Sequence, residues 1–203
     1  VDMPLQHVSD AMLRRMRRGY AGARLYRLVE KLHTRLPRLS LRTTFLVGHP
    51  GETEADFADL LRFVEWAEFD HLGVFKYSRE EGTPSAELPD AIPRAVAHAR
   101  YRRLLGAQRK ISRRKQRALV GETLDVLVDG VSEESELLLE GRIWAQAPEI
   151  DGKVYLANGS ARPGEIRRAI VTGGADYDLV ADLVDEEGKV DKPPGKRDAS
   201  HQR

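Results

Sequence analysis

The chain has 203 residues, of which 41% are hydrophobic and 32% charged, so it can form one large domain or two smaller ones and is too apolar for general disorder. The formal net charge of +1 gives no overall argument for a nucleic-acid or membrane partner. The absence of cysteine excludes disulfides, thiolate zinc sites and thiolate-held iron–sulfur clusters built from these residues. The six histidines have no paired ligand spacing, and we predict no metal site. No apolar run can span a bilayer and no signal peptide is visible, so we expect a cytoplasmic protein.

The first half of the sequence predicts strands that alternate with helices, which is typical of βαβ units in a parallel sheet. Right-handed crossovers then place the carboxyl ends of all strands at one edge. The predicted elements are a strand at 2–5, helices at about 10–18 and 23–36, a strand at 41–47, a helix at about 54–67, a strand at 71–77 and a long helix at about 94–119.

A polar loop follows each predicted strand of this half. The loops are Gln6-His7, residues 48–53 (GHPGET) and residues 78–83 (SREEGT). Because parallel strands end at the same edge, we expect the three loops on one rim, where α/β barrels carry their functional residues.

In the first loop, Gln6 offers an amide that can orient a ligand without titrating. His7 can act as an acid or base, although a lone histidine is more often structural. In the second loop, Gly48 and Gly51 can bring backbone N–H groups close to a ligand beside a helix N-terminus, or can serve a plain strand–helix turn. Glu52 lies in a first helical turn, where a carboxylate can also simply offset the helix dipole.

Two further features of this half concern Arg42 and the start of a helix. Alternation along the strand can point Arg42 into the barrel, where it would need a partner such as a ligand carboxylate; alternatively it faces the outer helices or a neighbouring acid. Thr53 and Asp56 have the spacing of a capping box, which predicts a helix start at Glu54.

The long helix is strongly basic between residues 100 and 117 and contains no acid there. This predicts either a contact with RNA or a ribosomal surface, or a solvated face that pairs with acids elsewhere. The basic residues are Arg100, Arg102, Arg103, Arg109, Lys110, Arg113, Arg114, Lys115 and Arg117.

The second half changes to short strands and turns, and five strands between 122 and 184 predict a small antiparallel barrel. Within it, Trp144 is either a core residue or an exposed platform. Glu149 and Asp151 form an acidic tip that would suit a basic partner, unless they belong to an ordinary loop. The charged segment 185–203 has Pro and Gly without periodicity, and we expect it to be disordered.

Five segments carry a family resemblance: DMPLQHVSD, RRMRRGY, LRTTFLVGHPGETEADF, FDHLGVFKYSREEGTP and GRIWAQAPEIDGKVYL. Together, in matching order and spacing over residues 2–184, they resemble the radical-SAM methylthiotransferases. Within this family, PLQH and APEIDG resemble the RimO type, which modifies an aspartate of the small-subunit ribosomal protein uS12, more than the MiaB type, which modifies a tRNA adenosine.

The resemblance implies an α/β fold, with the second half of a radical-SAM (β/α) barrel and its basic linker helix in residues 1–117. A small all-β TRAM (OB-like) barrel would occupy residues 118–184, followed by the disordered tail 185–203. The intact family enzymes use S-adenosylmethionine and two [4Fe–4S] clusters, whose cysteines this chain lacks. Because the chain also begins with Val rather than Met, we expect a fragment that is inactive alone.

The same resemblance implies site residues. We expect His7, Trp144, Glu149 and Asp151 to contact the substrate, uS12 within or outside the ribosome, and we assign no catalytic residue. The alternatives are a MiaB-like tRNA enzyme and a non-catalytic module that binds RNA or a ribosomal protein. The residues implied for S-adenosylmethionine are Gln6, Arg42, Gly48, Pro50, Gly51 and Glu52.

Overall fold

The computed structural model describes residues 1–185 and 187–191 and divides into two compact units after Ser112. The first unit holds a parallel sheet with helices, and the second holds a closed barrel. This confirms the predicted fold class. Among the described residues, none of the helices combines the length and the apolar composition that a bilayer crossing requires.

The first unit, the parallel-sheet unit, follows the predicted order of elements, and most predicted bounds agree within two residues. Its sheet has the order β1-β2-β3, with both neighbouring pairs parallel. The elements are β1 (Asp2–Gln6), α1 (Asp10–Arg15), α2 (Gly22–Arg35), β2 (Arg42–Val47), α3 (Glu54–Ala67), β3 (His71–Lys76), a 3₁₀ turn (Pro84–Glu87) and α4 (Arg94–Ala118), whose residues after Ser112 belong to the second unit.

The core of this unit lies between β2 and the helices. Burial alternates along β2, so that Thr43, Phe45 and Val47 are buried while their neighbours are half-exposed. Phe45 meets Phe63 and Phe69 edge-on, with ring centroids 6.2 and 5.9 Å apart. Such aromatic contacts add to the burial energy and fix the distance between strand and helix.

The start of α3 is tied to the start of α1. Thr53 Oγ1 accepts the Asp56 N–H at 3.1 Å and the Thr53 N–H donates to Asp56 Oδ2 at 2.9 Å, which confirms the capping box. The Ser9 hydroxyl, at the N-cap position of α1, donates to the other Asp56 oxygen rather than capping its own helix. Partial burial acts to raise the pKa of Asp56, but hydrogen bonds from Ser9 and Thr53 outweigh it and hold this pKa below its ordinary value.

Helix α1 ends at Arg15, three residues before its predicted end. Arg17 adopts a positive φ of 55°, a left-handed conformation that does not continue the helix. The amphipathic pattern of the sequence located this helix correctly but did not indicate a left-handed arginine.

The second unit, the barrel unit, is closed by five strands in the order β4-β5-β6-β8-β7. The prediction of a purely antiparallel barrel was wrong in one pairing, because β6 and β8 are parallel. A ring with an odd number of strands cannot alternate direction throughout, so at least one neighbouring pair must be parallel. The strands are β4 (Thr123–Ser132), β5 (Ser135–Arg142), β6 (Val154–Leu156), β7 (Ile166–Gly174) and β8 (Leu179–Leu183).

The charged segment predicted to be disordered, 185–203, lies largely outside the described residues. In its described part, Val190 pairs with Val184, and the Asp191 N–H donates to the Leu183 carbonyl at 2.8 Å. The Arg167 guanidinium also binds the Asp191 carboxylate at 2.8 Å. Val190 and Asp191 therefore pair with residues at the end of β8, and disorder of the other residues of this segment stays a prediction.

Candidate functional site

The three polar loops after β1, β2 and β3 lie at one edge of the sheet, as predicted. The β2–β3 register runs from Arg42 opposite His71 to Val47 opposite Lys76. The Tyr77 N–H continues this ladder by donating to the Val47 carbonyl at 2.9 Å. Gln6, at the end of β1, pairs with Phe45 and adopts a φ of 69° that turns the chain away from the strand. We call this edge the rim.

A buried carboxylate holds the rim together. Glu52 is 2% exposed. Its Oε2 accepts the Gly48 N–H at 2.6 Å and an Arg100 guanidinium N–H at 2.8 Å, and its Oε1 lies 3.3 Å from His7 Nε2. One side chain therefore joins the loop after β1, the loop after β2 and helix α4. We call His7, Glu52 and Arg100 the rim cluster.

His7 is a structural member of this cluster. Its side chain is fully buried, and its Nδ1 accepts the Ser9 N–H at 3.0 Å. Nε2 therefore carries the ring hydrogen and donates it to Glu52 in the neutral tautomer. This burial favours the alternative of a structural histidine, and a contact of His7 with the substrate stays a prediction.

Arg100 neutralises the buried carboxylate. Its Nη1 donates both to the Glu52 carboxylate and, at 3.0 Å, to the Glu52 backbone carbonyl, and the guanidinium lies over the Phe57 ring at 5.6 Å. A buried charge pair of this kind is costly to desolvate, but removing one partner is worse because the other is left unpaired.

Sequence reasoning counted Arg100 among the basic residues of the helix surface and missed this role. The signal that identifies it is the helical spacing of the buried side chains of α4. Arg100 follows Ala97 by three residues and precedes Leu104 by four, and all three are buried.

The glycines of the second loop serve a tight turn. Gly48 and Gly51 adopt φ angles of 76° and 79°, which favour glycine. A Cβ on Gly48 would lie 2.5 Å from the Ala97 Cβ. The Gly48 N–H is taken by Glu52, and the Gly51 N–H donates to the Asp90 carbonyl at 2.9 Å. Since both N–H groups are bonded within the protein, the loop matches the plain-turn alternative rather than an anion cradle.

The structure separates Arg42 from the other predicted cofactor residues. Arg42 begins β2, whereas Gly48, Pro50 and Glu52 follow its end, so they belong to opposite edges of the sheet. Its half-buried side chain does lie on the sheet face opposite the buried Thr43 and Phe45, as strand alternation predicts.

The residues fit S-adenosylmethionine only in part. Gln6 is half-buried at the rim, and Gly48 and Pro50 line a cavity there. Glu52 and Gly51 use their polar groups inside the protein. For an iron–sulfur cluster the fit fails outright, because the 203 residues contain no thiolate. Within residues 1–185 and 187–191, no three acidic or histidine side chains converge as metal ligands.

The cavity has a volume of about 770 Å³ and lies against the rim. His49 is buried beside it, with Nδ1 3.1 Å from the Pro50 carbonyl and Nε2 3.1 Å from the Ser85 hydroxyl. Burial lowers the pKa of His49, so the ring is neutral at physiological pH. Its ring also contacts Tyr77 edge-on at 5.1 Å.

In the barrel unit, the predicted substrate residues share one loop but differ in exposure. Trp144 is 57% exposed, which matches the exposed-platform alternative. Glu149 is exposed with a φ of 63°. Asp151 is half-buried and its Oδ2 accepts the Ala147 N–H at 2.7 Å, so it closes its own loop. The predicted acidic tip is thereby reduced to Glu149.

Several cations of the basic helix are paired with acids. Besides Arg100, Arg103 binds Glu54 at 2.9 Å and Arg113 Nε donates to Asp176 at 2.6 Å. Glu54 has a lowered pKa, mainly through its bond to Arg103. These pairs favour the alternative in which the helix meets acids elsewhere in the protein, although Arg102, Lys110 and Arg117 stay exposed.

Comparison with known proteins assigns both units. Residues 1–64 match the radical SAM superfamily, and residues 120–184 match the TRAM domain. The chain therefore joins part of a radical SAM domain to a TRAM domain, and it resembles the radical-SAM methylthiotransferases in both units.

The relatives it resembles within the family are of the RimO type, as predicted. It is 56% identical, over 92% of its length, to the ribosomal protein uS12 methylthiotransferase RimO of Sorangium cellulosum. It is 53% identical over 91% of its length to the protein of that name in Anaeromyxobacter sp., and 49% identical over 92% to that in Trichlorobacter lovleyi. The chain spans 38–41% of the length of these relatives.

Proposed function

We propose that the chain is part of a cytoplasmic enzyme that methylthiolates the β-carbon of an aspartate in ribosomal protein uS12. The observation that carries this proposal is the similarity to curated uS12 methylthiotransferases over 184–187 residues, which includes both units. The rim supports it, because it gathers three loops at the edge where α/β barrels hold their ligands.

S-adenosylmethionine, once reduced by a cluster, supplies a radical that can remove hydrogen from an unactivated C–H bond. Gln6, Gly48 and Pro50 are the residues of this chain that would hold it at the rim. The rim cluster positions the GHPGET loop through Glu52. The clusters need cysteines, which these 203 residues lack, so we expect the chain alone to be inactive.

The test uses the complete protein encoded by the gene, purified without oxygen, with its clusters reconstituted. It is incubated with S-adenosylmethionine, a reductant and uS12, and the uS12 peptides are analysed by mass spectrometry. We expect a methylthio group in place of one hydrogen on a single aspartate. A parallel reaction with tRNA addresses the MiaB-like alternative, and modification of tRNA but not uS12 would overturn the proposal.

A second candidate is a binding role without catalysis, favoured by the exposed Trp144 and by the exposed Arg102, Lys110 and Arg117, which form no ion pair with residues 1–185 or 187–191. Binding of the 203-residue chain to fluorescent uS12 and to ribosomal RNA is measured at two salt concentrations. RNA held by the basic residues would be released by salt. Trp144→Ala should weaken binding severalfold, and Leu137→Ala, which removes another exposed apolar side chain of the barrel unit, is the control. Binding to neither partner would exclude this role.

A further inference from the structure

We propose that the exposed face of helix α2 binds the phosphate backbone of RNA. This surface is distinct from the rim and from the basic helix α4, and it goes beyond the proposed methylthiolation. The choice of RNA as the partner rests on the proposed function, because a ribosomal protein lies next to RNA in the ribosome. RNA binding is measured without the enzyme activity, so either can fail while the other stands.

Four cations form one row along α2. They are three, four and four residues apart in the sequence, a spacing that places side chains on the same face of a helix. All four are exposed, whereas Leu25 and Val29 on the other face are buried in the core. The members of this row, which we call the α2 row, are Arg24, Arg27, Lys31 and Arg35.

The charge around the α2 row has one sign. Residues 14–38 contain eight arginines and one lysine but a single acid, Glu30. Within the part of the chain that the structure describes, no member of the row forms an ion pair, in contrast to Arg103 of α4, which binds Glu54 at 2.9 Å. The positive potential of this face is therefore left for an anionic partner.

Most of the α2 row works against the stability of its own helix. Arg27, Lys31 and Arg35 follow one another at a spacing of four residues, at which like charges repel. The first turn of α2 contains Arg24 and no acid, although the helix dipole favours acids there. A local arrangement that opposes stability without compensation is expected at functional positions. The charges therefore indicate binding rather than a structural role.

The form of the α2 row favours a phosphate chain over a protein surface or a bilayer. The row is about 16 Å long, which corresponds to about five phosphates of one nucleic-acid strand. Three of its four members are arginines, whose guanidinium groups bind phosphate through two parallel hydrogen bonds. Between Arg24 and Arg35 no large apolar side chain is exposed, so this face lacks the anchors of a protein interface and of a membrane-bound helix.

The test measures binding of the 203-residue chain to a fluorescent RNA of about 20 nucleotides, by anisotropy at several salt concentrations. We expect the affinity to fall steeply as salt rises, because each phosphate contact releases a counterion. Two competitors represent the other partners: polyglutamate for an acidic protein, and vesicles of phosphatidylserine and phosphatidylcholine in equal parts for a bilayer. If either displaced the RNA as well as unlabelled RNA does, or if no RNA bound at low salt, the proposal would be overturned.

A triple variant then locates the binding on α2. Arg24→Gln, Arg27→Gln, Lys31→Gln should weaken RNA binding about tenfold or more and make the salt dependence shallower by about two phosphate contacts. Its melting temperature should not fall, since these side chains have no ion-pair partner among the described residues and repel one another. A weaker affinity that came with a lower melting temperature would point to damage to the fold and would count against the proposal.

The matched control removes the same charge from α4. Arg102→Gln, Lys110→Gln, Arg117→Gln changes three exposed cations of that helix and should weaken RNA binding by less than about threefold. Unchanged binding by the α2 variant, or an equal loss in both triple variants, would overturn the proposal, because the α2 row would then not be the site.

Discussion

In the parallel-sheet unit the core combines an aromatic cluster with the buried charges of Glu52 and Arg100, whereas the described core of the barrel unit is aliphatic. The buried polar side chains of the barrel, Ser132 and Gln146, each bond a nearby backbone N–H. Among its described residues, the barrel unit thus has no buried charged side chain that joins distant segments.

The difference follows from how the two sheets are built. A closed barrel satisfies the backbone of its strands within the ring, and most of its strands are joined to antiparallel neighbours. Parallel strands need long crossovers, which leave irregular loops at one edge. In this protein a carboxylate–arginine pair fixes those loops, so the edge that carries the candidate site depends on buried electrostatics.

The largest effect is expected from Arg100→Met. It leaves the Glu52 carboxylate buried without its cation, which should lower the free energy of unfolding by about 3–5 kcal/mol in urea titrations. Arg102→Met on the exposed face of α4 is the control. Adding Glu52→Gln to Arg100→Met should recover part of the loss, because the buried charge is gone. Additive losses from the two substitutions would contradict the role assigned to the pair.

Leu179→Ala tests the aliphatic core of the barrel. Leu179 is fully buried, so its truncation should cost about 2–5 kcal/mol through lost burial and a cavity. Leu137→Ala, at a side chain that is 85% exposed, should change the stability by less than about 0.5 kcal/mol. A similar loss from both would mean that the barrel core is not what stabilises this unit.

Asp56→Asn tests a smaller electrostatic contribution in the parallel-sheet unit. Losing the charged capping-box side chain should cost about 1 kcal/mol near neutral pH. Since the pKa of Asp56 is lowered by folding, the unfolded state binds more protons as pH falls, and the native protein loses this contribution below about pH 4. Unfolding curves of protein and variant should therefore converge in acid. Asp59→Asn, on α3, serves as the control. A difference in the free energy of unfolding between the protein and Asp56→Asn that persists at low pH would rule out the Asp56 carboxylate as its cause.

The smallest effect concerns the surface of the barrel. The Tyr155 hydroxyl donates to Glu134 at 2.6 Å, and this bond raises the pKa of Tyr155 to about 12. Glu134→Gln should bring the pKa back toward the ordinary value of 10.0, as followed by NMR of the tyrosine ring. Glu133→Gln is the matched control. An unchanged titration in the Glu134 variant would show that another group raises the pKa.

The sequence predicted the elements well, because Phe57, Leu60 and Val64 on α3 and the alternation along β4 are local patterns. The sequence also predicted that the three loops lie at one edge of the sheet, since this depends only on the strands being parallel. The partners of Glu52 could not be predicted: Arg100 lies 48 residues away, and its burial depends on how α4 packs. Likewise, the sequence predicted Asp151 as part of an acidic tip. Its bond to the Ala147 N–H depends on the geometry of the local turn, which the sequence did not indicate.

The spacing of the rim cluster has a consequence for the order of folding during synthesis. Glu52 cannot meet its counter-charge until residue 100 and the start of α4 have left the ribosome. Before that point, closing the loop after β2 would bury a carboxylate with His7 as its side-chain partner, so the early part of the chain gains little by closing it. We therefore expect the parallel-sheet unit to complete its folding in one late cooperative step, when α4 packs against the sheet.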